Sequence, residues 1–189
     1  SAEFNPVIKI KDSLRGRKDD KLFSKQVDDL LEGKIKSDKV LSVGKTPRVL
    51  QKYGANDIDM TMKQSTVKKV AYPMGYQDAL RGVGVQQKGY KSQSKGHNLG
   101  IGTIKATRKE LSNPVAILKS GTQKDSFVAF INRVDEHNNP IMVAVHLDKQ
   151  GRTNISNEVA SIYGRSQYEN FIKEQRAKGN VLYENKKMG

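Results

Sequence analysis

The chain has 189 residues, of which 34 are Lys or Arg and 20 are Asp or Glu, for a formal net charge of +14. That length fits one main domain, and a hydrophobic content of 35% builds a core only if it clusters, which it does after Pro114. Cysteine is absent, which excludes a disulfide framework and a thiolate metal site, and no run nears the roughly 18 apolar residues of a membrane span.

The opening Ser-Ala-Glu-Phe, without Met, reads as a cloning remnant, and residues 1–20 read as a flexible basic arm. Leu22, Phe23, Val27, Leu30 and Leu31 recur at helical spacing, and Gly33 stops the helix they predict. "KVLSVG" at 39–44 has the alternation of a strand. Thr46 is placed to cap a short helix that opens at Pro47 and ends at Gly54. "DIDMTM" from Asp57 is a second extended piece, and Ser65 begins another short helix through Val70.

From about Tyr72 to Gly102 there is no apolar period, and glycine, proline, glutamine, serine and lysine dominate. A long loop is expected there, and loops of that length tend to be functional or disordered. Gly100-Ile-Gly102 matches neither the dinucleotide nor the triphosphate fingerprint, so it reads as a turn entering a helix at Thr103.

After that helix the texture changes. "PVAILKS", "SFVAFINRV", "IMVAVHL" and "ISNEVASIYG" are β-prone runs separated by turn chemistry such as "GTQKD" and "EHNNP", which predicts an antiparallel meander. A helix from Gln167 to Lys178 ends at Gly179, and "VLYE" offers one more strand. The expected class is α+β, an antiparallel sheet of four to five strands with helices packed on one face.

Charge locates the candidate site. Between Lys63 and Lys109 ten basic side chains stand against one acid, Asp78, a local excess of +9 out of the chain's +14. Such a concentrated field suits a polyanion, most readily nucleic acid, although a solvated basic face or a membrane-surface patch shares the pattern. His97 lies inside that run, at the end of the long loop and beside a helix start, where an imidazole can exchange protons near pH 7. His137 sits in the "DEHNNP" turn and reads as an exposed loop residue. His146, on a strand face with Ala144 and Asp148, reads as structural. The three histidines have no ligand spacing, so no metal and no cofactor is expected. What remains is phosphodiester chemistry on RNA, in which the substrate's 2′-hydroxyl is the nucleophile. The protein then needs a base, an acid and donors for the developing charge, roles suited to His97, Lys69, Lys119, Ser120, Ser161 and Tyr163.

The series "FSKQVDDLLEGK", "LSVGKTPRVLQKYGANDIDMTM", "STVKKV", "HNLGIGTIKATRKELSNPVAILKS", "IMVAVHLDK", "NEVASIYG" and "NVLYENKK" resembles the phage MuF carboxy-terminal toxin domain, over about Phe23 to Lys187. That family is assigned to the barnase/EndoU/colicin/RelE-like (BECR) nuclease superfamily. The resemblance implies one such domain over 21–189, a metal-independent ribonuclease acting as a toxin on RNA, tRNA among the candidates. Its site of action would be the cytoplasm of a target bacterium, with an immunity protein as a second partner. It matches His97 to the family's histidine before the mid-domain helix, Thr66 to a polar position of the preceding short helix, and Ser120 to a strand-closing serine. Asn157, Ser161 and Tyr163 fall in the family's most recognisable strand. The resemblance departs at about 71–96, a basic loop insert whose Lys88, Lys91 and Lys95 are candidates for RNA binding with Lys69, Lys119, Thr66 and Asn157. Ser161 and Tyr163 also fit the polar face of a strand, and Asn157 and Thr66 also fit loop braces. The alternative is a non-catalytic nucleic-acid-binding or phage-particle interaction domain on the same fold.

Overall fold

Helix α1 runs unbroken from Pro6 to Leu31 in the computed structural model, which describes residues 6–36, 38–72 and 97–186. The arm expected through Asp20 is therefore corrected, because residues 6–20 belong to the same helix as the apolar stripe behind them. Phe23, Val27 and Leu30 of that stripe enter the core. Upstream of them the helix is tied by charge. Asp19 accepts a hydrogen bond from the Lys45 amide (3.0 Å), and the Arg108 guanidinium approaches Asp19 (3.8 Å) and Asp20 (3.6 Å).

Strand β1 (Leu41–Lys45) pairs antiparallel with β2 (Asp59–Met62), and helix α2 (Arg48–Lys52) connects them. Thr46 does not cap α2 as its position suggested. Its hydroxyl donates to the Ile58 carbonyl (2.7 Å), closing the loop at its base. Helix α3 (Gln64–Ala71) follows and buries Val67 and Val70. Residues 97–100 lead into helix α4 (Ile101–Leu111), which begins two residues earlier than the turn chemistry predicted. Strands β3 (Ala116–Lys119), β4 (Ser126–Val134), β5 (Pro140–Gln150) and β6 (Ile155–Gly164) come next, then helix α5 (Tyr168–Ala177) and strand β7 (Val181–Glu184).

The described strands form one open seven-stranded sheet in the order β1-β2-β6-β5-β4-β3-β7. The meander β3–β6 is antiparallel throughout, as its turns required. Two expectations are corrected. The sheet has seven strands rather than four or five, because the N-terminal hairpin adds β1 and β2 beside β6, and β7 closes the far edge. It is also not wholly antiparallel, since β2 meets β6 in parallel at Met60↔Asn157 and Thr61↔Glu158.

Helices cover both faces, not one. On β4, Phe127, Ala129 and Ile131 point into a core shared with α1, α3 and α4, while Phe130 points the other way, against Ile172 of α5. Phe130 meets the rings of Tyr168 (4.8 Å) and Phe171 (5.9 Å) edge-on, the arrangement aromatic quadrupoles favour. The larger core thus lies under α1 to α4, with Leu50 contributed by α2, and the smaller under α5. Helix α5 has only ten residues, so the face it covers is left partly bare.

Candidate nucleic-acid cleft

Side-chain alternation places Leu118, Val128, Ala144 and Ser161 in one cross-strand row on the α5 face. Their registers are Leu118↔Val128, Val128↔Ala144 and Ala144↔Ser161. The next row on one side holds Ala116, Phe130, Met142 and Tyr163, whose first three members are buried beneath α5. The next row on the other side pairs Ser126 with His146, and the Ser120 amide donates to the Ser126 carbonyl (3.0 Å). Small Ala144 and Ser161 leave the middle row low. A cleft of about 400 Å³ results, walled by α5 through Phe171 and Gln175 and by the 120–123 turn. Lys119, Ser120, Ser126, His146, Ser161, Tyr163 and Arg165 contribute its polar lining.

His97 stands beside this cleft. Its amide donates to the Lys69 carbonyl (2.8 Å), the Asn98 amide to the Tyr72 carbonyl (3.2 Å) and the Leu99 amide to the Val70 carbonyl (2.9 Å). Three backbone bonds therefore clip 97–99 onto the end of α3. The imidazole lies on the Tyr163 ring, with centroids 5.7 Å apart and planes inclined by 29°. Burial lowers its pKa, and the positive charge of Lys69 lowers it further. The ring is consequently held neutral near pH 7, the form that accepts a proton.

The structure brings together His97, Tyr163, Ser161, Ser120 and Lys119, the last four around one cleft. Ser120 has a turn to shape as well, because its hydroxyl oxygen accepts from the Gln123 amide (3.1 Å). Thr66 and Lys69 are one helical turn apart on α3, and Lys69 is exposed. Lys88, Lys91 and Lys95 lie outside the described residues, as does all but the first two residues of the 71–96 insert.

Asn157 is a correction. It is 0% exposed, and its carboxamide accepts from the Asp148 amide (3.1 Å) and donates to the Thr46 hydroxyl (2.9 Å) and the Asn56 carbonyl (3.2 Å). An amide so enclosed braces three loops and has no surface to offer RNA. His137 is exposed in its turn, 3.5 Å from the Glu136 carboxylate.

Ser126, His146 and Arg165 line the cleft and escaped the sequence reading. His146 read as structural, yet it is half-buried and lines the cleft. Asp148 does not share its face, because β5 bulges between His146 and Lys149 and Asp148 turns to φ 53°. Arg165 continues the alternation of Ser161 and Tyr163 by one more step of two, a signal already present in "SIYGR". Among the described residues no group of three or more His, Asp or Glu is placed to hold a metal ion, and no helix is long and apolar enough to cross a membrane.

Fold and cleft together define a mixed α+β domain with an open sheet, a polar cleft with no carboxylate among its described lining residues, and a neutral imidazole beside it. The family model of the phage MuF C-terminal domain matches residues 88–189, more than half of the chain, and the chain belongs to that family. The match takes in His97 and every cleft residue, whereas α1 to α3, with Thr66 and Lys69, lie upstream of it. No curated protein and no solved structure matches the chain.

Proposed function

We propose that this domain is a metal-independent endoribonuclease toxin of BECR-like type, cleaving RNA through attack by the substrate's own 2′-hydroxyl. The observation that carries the reading is the half-buried, neutral His97 held on Tyr163, whose ring also lines a cleft edged by hydroxyls and cations. A neutral imidazole takes the 2′-hydroxyl proton as that oxygen bonds to phosphorus. The P–O5′ bond breaks, the leaving oxygen takes up a proton, and the products are a 2′,3′-cyclic phosphate and a 5′-hydroxyl. Ser161, Tyr163 and the turn closed by Ser120 orient the phosphate, and Lys69 and Lys119 offset its charge. A base, an acid and hydrogen-bond donors suffice for this reaction, so metal is not required. The local excess of basic residues from Lys63 to Lys109 supports RNA, tRNA included, as the substrate class. On this reading the site of action is the cytoplasm of a target bacterium, and an immunity protein covers the cleft in the producing cell.

The test is incubation of the purified chain with a mixed RNA pool in EDTA, followed by mass analysis of the ends. Cyclic phosphate on the 3′ side is expected. Cleavage that needs an added divalent ion, or that proceeds equally on DNA, overturns the mechanism. Salt-dependent RNA binding with no cleavage leaves the non-catalytic alternative.

A further inference from the structure

Arg165 is the first residue after β6. Its amide donates to the Pro140 carbonyl (2.8 Å), which fixes the backbone, and the side chain lines the same cleft as Tyr163 and Ser161, two and four residues earlier on the strand. There the guanidinium lies over the Phe171 ring, Cζ 4.2 Å from the centroid. Its Nε is buried and has no hydrogen-bond partner.

That arrangement differs from other arginines in the molecule. Arg176 is held at both ends by Glu184 (2.9 and 2.6 Å), Arg108 faces Asp19 and Asp20, and Arg133 approaches Glu110 (3.7 Å). Among the described residues Arg165 has no carboxylate within ion-pair distance, and neither Asp nor Glu lines its cleft. An aromatic ring fixes the plane of the guanidinium without consuming its N–H groups, so the fork stays ready for an external acceptor. A cationic fork, hydroxyls lining the same cleft and an absence of negative charge among its described lining residues suit a tetrahedral oxyanion.

The geometry points to a phosphate subsite in which Arg165, stacked on Phe171, binds one phosphodiester of RNA with help from the Ser161 hydroxyl, His146 and Ser126 closing the far end. RNA as the source of that phosphate rests on the function proposed above. An acidic peptide is the competing occupant, and its chemistry separates in the test.

The probe is a 2′-O-methyl RNA oligomer, which cannot be cut, titrated into the full chain at several salt concentrations. Arg165→Gln should weaken binding roughly 10- to 100-fold, the range for losing charge-assisted hydrogen bonds. It should also reduce the log–log salt slope by about 0.7, the single-strand value for one phosphate contact. Arg165→Lys should keep the slope and lose part of the affinity, because the charge survives and the fork does not. In the unmodified chain the Arg165 Nε–H resonance should shift when the oligomer or inorganic phosphate is added, a readout that does not depend on any variant folding.

Unchanged affinity and slope in Arg165→Gln, or an Nε–H signal indifferent to phosphate and oligomer, overturns the subsite. So does a signal that moves with a poly-glutamate peptide and with neither phosphate nor RNA. If the oligomer binds through Arg165 but natural RNA is never cut, the ribonuclease reading fails and the subsite stands. If RNA is cut and Arg165→Gln cuts it with unchanged kcat and KM, the reading stands and the subsite fails.

Discussion

The imidazole of His97 rests on the phenol ring of Tyr163, 5.7 Å between centroids, and so joins the chain entering α4 to the strand that lines the cleft. Stacking limits the swing of the imidazole, and the backbone bond from the His97 amide to Lys69 fixes where that swing begins. The same enclosure strips water from the ring and holds its pKa below the ordinary 6.5, with Lys69 adding repulsion.

A pH dependence follows from that direction. In the unfolded chain His97 takes up its proton as pH falls through about 6.5, whereas the folded chain takes it up only at lower pH. The unfolded state therefore binds more protons in that window, and stability rises with pH across it and is lost as pH falls below it. His97→Gln should flatten this part of the stability curve in denaturant titrations from pH 7.5 to 5. Lys69→Gln should raise the His97 pKa without restoring it fully, since burial is the larger cause. Tracking the imidazole C2 proton by NMR measures both, and a Lys69→Gln variant that titrates lower than the parent contradicts the electrostatic assignment.

For turnover, His97→Ala should cost about 10² to 10⁴ in rate, the usual worth of a general acid or base. Affinity for uncleavable RNA should stay close to the parent's. His137→Ala, in an exposed turn, should change neither. Tyr163→Phe keeps the stacked ring and loses only the hydroxyl, while Tyr163→Leu loses the stack. A larger loss for Leu than for Phe in single-turnover assays assigns Tyr163 to positioning His97, and equal losses assign it to its hydroxyl.

The part of the fold that was legible from sequence is the part set by local pattern. Runs such as "SFVAFINRV" and "IMVAVHL" carry their own alternation, and the Asp135–Asn139 turn carries its own chemistry, with the Asp135 carboxylate accepting from the His137 and Asn139 amides. What escaped depended on partners distant in the chain. The Met60↔Asn157 pairing crosses nearly a hundred residues, and nothing in "DIDMTM" names β6 as its neighbour. Residues 6–20 looked unstructured because their helix shows little apolar stripe. Asp19, Asp20 and Arg108, far apart in sequence, supply its attachment instead. In the site, Ser161 and Tyr163 could be found from alternation. Asn157 was carried into the site by the family resemblance, yet at the start of the strand its side chain looks into a loop junction rather than the cleft, the brace its position also fitted.

Asn157→Ala should therefore act on stability and not on RNA. Removing a buried carboxamide leaves the Asp148 amide without its acceptor and two further polar groups without their donor, a loss on the order of 2 to 4 kcal/mol. Thr46→Val should cost less, because it leaves the Asn157 bonds to Asp148 and Asn56 in place. Urea titration gives the stabilities, and oligomer binding measured well below the transition gives affinity. A stable Asn157→Ala protein with weakened RNA binding returns Asn157 to the cleft's function.

The attachment of α1 can be tested at a residue that bears no charge. Gly44 sits in β1 with φ 110°, a conformation open to glycine and costly for any L side chain, and β1 shifts register against β2 at that point. A Cβ there would come within 2.6 Å of the Asp19 Cβ and 2.8 Å of its carboxyl group. Gly44→Ala thus has to distort β1 or push Asp19 away, breaking the bond to the Lys45 amide and the approach of Arg108 together. Strained backbone costs about 1 to 3 kcal/mol, and loss of the charged contact adds to it. Asp19→Gly removes the obstacle, Cβ included, and the bond, but not the backbone cost at residue 44, so Gly44→Ala in that background should destabilise less than in the parent, a coupling that a double-mutant cycle reads directly. Hydrogen exchange at residues 11–20 should rise in each variant while α3 to β6 stay protected. Additive effects, with exchange at 11–20 unchanged, would show that α1 is held without Asp19, by Phe23, Val27 and Leu30 and by the contacts of Gln26 with Ser42 and of Asp28 with Lys105.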